Sequence, residues 1–201
     1  MAYLELRDIK KCFNGVPAVE HFNLEIEKGQ LVSFLGPSGC GKTTTLRMIA
    51  GFETPDSGEI LLENSDISSI PPNKRNIGMV FQSYALFPNM TIIDNICFGM
   101  KMHKVEKSKI KSKAKEILDL VRLSETSNRY PNQLSGGQQQ RIALARALAI
   151  EPHVLLLDEP LSALDAEVRV ALRGDIRRIQ TNLKITTVYV THDQEEALSI
   201  S

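Results

Sequence analysis

The stretch GPSGCGKTTT, residues 36–45, carries residue types whose spacing suits one task. Gly36, Gly41, Lys42 and Thr43 fit G-x-x-x-x-G-K-[ST], a pattern that cradles polyphosphate when it joins a strand to a helix. Gly36, Gly39 and Gly41 let the backbone curl until its N–H groups converge on phosphate oxygens, with Pro37, Ser38 and Cys40 filling the turn. Lys42 brings a positive charge to the β- and γ-phosphates, Thr43 offers a hydroxyl to Mg2+, and Thr44 completes the nucleotide-binding set. The helix that follows aims its positive end at the same point.

A second pair of groups lies far along the chain. Mg2+ takes hard oxygen ligands, and Asp158 closes the apolar run Val154–Leu157, placed to hold the ion directly or through water. Glu159, one residue further, faces the other way. A carboxylate there orients and deprotonates an attacking water, a contribution of about 10²–10⁴-fold. Two acids after an apolar strand also open many helices, but beside a phosphate loop the catalytic reading is the better one.

A third feature is LSGGQQQRIALARAL, residues 134–148. Ser135 and Gln138 stand three apart as a capping box. That cap leaves Gly136 and Gly137 unexplained, since each costs a helix about 1 kcal/mol relative to alanine. Glycine lets a ligand oxygen reach backbone N–H groups without meeting a Cβ, so a second anion site is expected here. The residues themselves leave open which anion, and on which molecule.

The elements that must position these groups can be read from pattern. YLELRDI and FNLEIEK alternate as half-exposed strands, the first two antiparallel. LVSFLG runs apolar into the glycine loop, as a strand buried on both faces does. A helix is expected from Lys42 to about Ala50, closed by Gly51, and GEILLEN, IGMVFQ, HVLLLD and ITTVYVT read as further strands. Between them, residues 91–148 are helical in pattern, and Ile110, Ala114, Ile117, Leu118 and Val121 share one face. A helix from Ala166 to Leu183 follows. The seven lysines between Lys101 and Lys115 read as the solvated side of an amphipathic helix rather than a nucleic-acid or lipid patch.

Composition narrows the classes. Lysine plus arginine number 24, as do aspartate plus glutamate, so the formal charge is zero, and no global field draws the chain to nucleic acid. Cys12, Cys40 and Cys97 are odd in number and lack metal-ligand spacing, which points to a reduced cytosolic protein without structural disulfides or zinc. The N-terminus lacks the basic-then-apolar layout of a signal peptide. No run reaches the roughly 18 apolar residues that cross a bilayer, so any membrane role is expected through a partner.

Together these motifs resemble the ATP-binding cassette (ABC) transporter ATPases over essentially the whole chain. Five elements occur in that family's order: GPSGCGKT, the glutamine segment MVFQSYALFP, LSGGQQQR, VLLLDEPLSALD, and the histidine of VTHD. The resemblance implies an α/β P-loop NTPase cassette with a mixed-sheet core and an N-terminal antiparallel β portion. Residues 1–90 and 150–201 would form the RecA-like core, and 91–149 an inserted all-helical subdomain. Phe13 would stack on adenine, although a core place for it is nearly as consistent with its sequence. Gln82 would touch Mg2+ and the attacking water, and His192 the γ-phosphate and the Glu159–water pair. Ser135, Gly136, Gly137 and Gln138 would hold the γ-phosphate of ATP on a second subunit, and Asp165 would cross that interface.

The implied assembly is a head-to-tail homodimer around two ATP and Mg2+. It would sit on the cytoplasmic face of the membrane, contacting permease subunits near Gln82–Pro88 and an external substrate-binding protein only indirectly. IPPNKRNIGMVFQSYALFPNMTIIDNICFGM and VYVTHDQEEALSIS are similar to importer ATPases for ferric iron, polyamines, organophosphonates, sulfate or sugars. In that group a C-terminal regulatory domain follows; its absence here implies a shortened cassette. The alternative is a non-transport ATPase of the same superfamily.

Overall fold

A computed structural model describes residues 2–200. Along the chain run β1 (Leu4–Phe13), β2 (Val16–Ile26), β3 (Leu31–Leu35), α1 (Lys42–Ala50), β4 (Ser57–Leu62), β5 (Ser65–Asp66), β6 (Ile77–Val80) and α2 (Ile92–Met102). Then come α3 (Lys107–Leu120), α4 (Gly136–Leu148), β7 (Val154–Asp158), α5 (Ala166–Leu183), β8 (Thr186–Thr191) and α6 (Gln194–Ile200).

The strands form two sheets of opposite character, antiparallel β2-β1-β4-β5 and parallel β3-β8-β7-β6. Strands β1 and β2 run further than the alternation in the sequence shows. They meet as a hairpin, Phe13 opposite Val16, across Asn14 and Gly15, both at positive φ (50° and 80°). That backbone matches the twist of the flanking strands in a two-residue turn.

Period-two geometry explains why β7 is apolar throughout. Leu155 and Leu157 face a core shared with α2–α5, whereas Val154 and Leu156 face one shared with α1 and the antiparallel sheet. Tyr189 of β8 points to the first core, Val188 and Val190 to the second. A parallel strand covered on both faces reads as a continuous apolar run, and its C-terminal end is thereby fixed beneath the phosphate loop.

Helix α1 ends at Gly51 (φ 86°), where Arg75 closes it. This arginine is 4% exposed and donates to Met48 O, Ile49 O, Ile70 O and Ser68 O at 2.6–3.0 Å. A cation on the last carbonyls complements the helix dipole. In α3, Ile110, Ala114 and Leu118 are buried as the spacing predicts. Of the lysines around them, Lys101, Lys109 and Lys113 pair with Asp94, Glu106 and Glu151, while Lys107, Lys111 and Lys115 are exposed, which is the solvated face expected. Among the described residues no helix is long and apolar enough to cross a membrane.

Candidate functional site

Residues 36–41 connect β3 to α1, the strand–loop–helix context that the spacing requires. Gly41, the residue capping α1, has φ 89°, and a Cβ there would stand 2.4 Å from Ala18 O. Only glycine fits, and the antiparallel sheet thus sets how tightly the loop curls. No acid occupies the first turn of α1, so its positive end is uncompensated. Lys42 is 9% exposed; its Nζ donates to Gly36 O (2.7 Å) and Pro37 O (2.8 Å) and lies 3.6 Å from Cys40 Sγ.

The loop and the carboxylate strand meet through one bond. Thr43 Oγ1 donates to Asp158 Oδ1 at 3.0 Å. Asp158 is 9% exposed, and burial pushes its carboxyl above the usual range, opposed mainly by the Thr43 hydroxyl. A buried carboxylate that resists ionisation gains most from a nearby cation. This hard-oxygen pair therefore fits Mg2+, whose usual partners are one or two carboxylates plus phosphate oxygens.

Glu159 leaves the strand in an unusual conformation, φ 42°, which costs a non-glycine residue roughly 1–3 kcal/mol. Its N–H donates to Val190 O of β8 at 3.1 Å, holding the turn. The side chain meets His192 Nδ1 at 3.2 Å and Gln82 Nε2 at 3.4 Å. Gln82 also donates to Ser162 Oγ (3.2 Å), which itself donates to Glu159 O (3.0 Å). Residues from the ends of β6, β7 and β8 thus converge at the edge beside the phosphate loop. Glu159 is the acceptor in this group.

The capping box of α4 is formed as expected: Ser135 Oγ accepts from Gln138 N at 3.4 Å, and Gln138 Oε1 accepts from Ser135 N at 3.0 Å. The reason for its glycines needs correction, because an approaching anion is not their only explanation. A Cβ on Gly136 would lie 3.0 Å from Leu164 Cδ2, and one on Gly137 would lie 2.8 Å from Val168 Cγ1. The bare helix start lets α4 press against the beginning of α5, a contact across residues distant in sequence. Asp165 caps α5 there, its Oδ1 accepting from Val168 N at 3.0 Å, so the two turns share one surface. Among the described residues no hydrogen bond or ion pair joins 135–138 to 36–43 of the same chain. Phe13 is 43% exposed, with Lys11 Nζ 5.4 Å from its ring centre; a core place for it is ruled out.

The family profile described as ABC transporter matches residues 19–162, spanning the phosphate loop, Gln82, the Ser135 turn and the Asp158–Glu159 pair. The chain belongs to the ABC transporter family. It is 53% identical over 200 residues to the spermidine/putrescine import ATP-binding protein PotA of Aliivibrio fischeri, covering 100% of this chain and 54% of that one. It is 52% identical over 202 residues to the sulfate/thiosulfate import ATP-binding protein CysA of Pseudomonas aeruginosa, covering 98% and 61% respectively. This ABC chain therefore spans little more than half the length of the curated relatives it matches. Among solved structures it is similar, with a TM-score of 0.84 and 32% identity over 98% of this chain and 90% of the other, to the dimeric post-hydrolysis state of the ATP-binding cassette MJ0796 bound to ADP and Pi.

The ABC fold also uses residues that sequence reasoning did not single out. Arg169 donates to Leu164 O (3.1 Å) and Asp193 Oδ2 (3.3 Å), tying the Asp165 turn to the residue after His192. Buried Asn95 accepts from Phe87 N and donates to Phe87 O, Met90 O and Thr91 O. Their acceptors are mostly backbone carbonyls, which leave no trace in motif spacing. Polar residues inside a helical pattern simply read as exposed.

Proposed function

We propose that this chain is the ATP-binding and ATP-hydrolysing cassette of an import transporter, working as a head-to-tail homodimer around two ATP. The observation that carries the reading is the convergence of Glu159, Gln82 and His192 beside a phosphate loop linked to it through Thr43 and Asp158. Residues 36–44 bind the triphosphate, Phe13 offers its exposed ring to the base, and Lys42 exchanges its carbonyl partners for phosphate oxygens. Thr43, Asp158 and Gln82 would hold Mg2+, which supplies charge neutralisation at the phosphates. Glu159 takes the proton of the attacking water, and His192 keeps that carboxylate oriented.

The Ser135–Gln138 turn would serve the nucleotide of a second copy, as the dimeric assembly of the similar cassette suggests, with Asp165 beside it at the interface. Closure brings N–H donors to the γ-phosphate from both copies, and hydrolysis removes the group that bridges them. Nucleotide binding and dimerisation are then one linked equilibrium. Residues 91–149 act as the helical subdomain, and Gln82–Pro88 contacts permease subunits at the cytoplasmic face of the membrane. The cargo belongs with the polyamine or sulfate class named in its relatives, delivered by an external substrate-binding protein.

Complementation between defective copies tests this. Lys42→Ala and Ser135→Arg should each abolish turnover alone. Mixed, they form one fully damaged and one intact composite site, so ATPase activity should reappear in part. Full turnover by Ser135→Arg alone would show that each chain works without a partner's turn, and a mixture that stays inactive while the parent protein is active would refute the composite site.

A further inference from the structure

Arg146 stands in the last turn of α4, yet its guanidinium closes on a different element. Nη1 donates to Ala85 O at 2.6 Å and Nη2 to Tyr84 O at 3.0 Å. The guanidinium carbon lies 5.5 Å from the centre of the Phe87 ring, within cation–π range. Tyr84 and Ala85 are consecutive non-glycine residues at positive φ, 60° and 48°. L side chains resist that backbone, so it persists only where the surroundings hold it. A planar guanidinium fork satisfying two successive carbonyls is such a restraint. Burial lowers the pKa of Arg146, a cost that these charge-assisted bonds offset.

The neighbouring turn is braced independently. Asn95, fully buried, bonds to Phe87 N and O, Met90 O and Thr91 O. On the other side, Gln82 reaches Glu159 and Ser162. Residues 82–91 are thus held at three points, by Gln82 at the carboxylate end, Arg146 in the middle and Asn95 at the far end. Arg146 also shares one continuous helix with the Ser135–Gly137 turn.

We propose that Arg146 is a positioning residue that makes the 82–88 segment move with α4. Through the same helix, a displacement of the Ser135 end is then carried to the Tyr84–Ala85 turn and bears on the contact that Gln82 makes with Glu159. This rests on the function proposed above for those two ends.

The test uses the full-length protein carrying Arg146→Ala, Arg146→Lys, Gln82→Ala, and Arg146→Ala with Gln82→Ala. ATP affinity, kcat and amide hydrogen exchange are measured for each. Arg146→Ala should leave ATP affinity within about threefold and lower kcat by about tenfold to a hundredfold, the scale of a catalytic group displaced by an ångström. Arg146→Lys keeps the charge but loses the fork, and should recover only part of the rate. Exchange at 83–88 should quicken while 142–146 stays protected. Because Arg146 acts through Gln82, the double variant should be no slower than Gln82→Ala alone. Rate losses that multiply in the double variant, unchanged exchange at 83–88, or protection lost all along α4 would each overturn the proposal. If the parent protein turns over no ATP, the functional reading fails instead, and the exchange measurement still decides whether Arg146 holds the segment.

Discussion

Replacing Gly137 with alanine separates two reasons for a bare helix start. The added Cβ would stand 2.8 Å from Val168 Cγ1 and 3.5 Å from Leu172 Cδ1. Overpacking of that kind costs about 1–3 kcal/mol, while alanine returns about 1 kcal/mol of helix propensity. The net expectation is a loss of about 1 kcal/mol, a fall in Tm of about 2–4 °C for a chain of this length. Val168→Ala removes the obstructing methyl group and by itself loses about 1 kcal/mol of partly buried apolar surface. Together the two changes should show a favourable coupling of about 1–2 kcal/mol. Thermal melts and ATPase rates of the four proteins decide the matter. If the glycine also admits a phosphate, the pair regains its Tm without regaining turnover. Recovery of both would refute the anion argument. A single Gly137→Ala protein that melts higher than its parent would refute the packing argument.

Glu159→Gln should lower kcat by about 10²–10⁴-fold while ATP binding persists and a nucleotide-bound dimer accumulates in light scattering; normal turnover would exclude Glu159 as the base. Burial raises the pKa of Asp158, so the folded protein keeps that proton to higher pH than the unfolded chain. Its contribution to stability is present in acid and lost as pH rises through the folded-state pKa. Asp158→Asn, which keeps an acceptor for Thr43, should therefore melt higher than the parent at neutral pH without Mg2+, with the gap closing on acidification; a pH-independent gap would contradict this. Gln140 is fully buried, and both of its amide atoms lack partners among the described residues. An unmet buried amide costs about 1–3 kcal/mol, so Gln140→Met should raise Tm by a few degrees, and a lower Tm would reveal a partner for the amide.

The site was legible where its chemistry is local. A loop that curls around phosphate needs its glycines, lysine and threonine within a few residues, and a carboxylate at a strand end follows directly from an apolar run. Contacts between distant segments were not legible. Nothing near Gly137 in the sequence announces Val168, and the spacing therefore suggested a ligand where a neighbouring helix also presses in. Arg75, Asn95 and Arg146 were missed for another reason: they clamp backbone carbonyls, which every residue carries. The β1–β2 hairpin did have a readable sign in Asn14–Gly15, but VPAVEH after it alternates too weakly to extend the strand. The division of strands between two sheets, one antiparallel and one parallel, rests on pairings that no single segment encodes.

The Lys42 ammonium is already held by two carbonyls of its own loop. An incoming anion must therefore displace those acceptors rather than meet a bare cation. A polyphosphate answers that exchange by collecting the loop amides and the helix end in the same act. The lysine thus favours a ligand that answers its charge and the loop amides together.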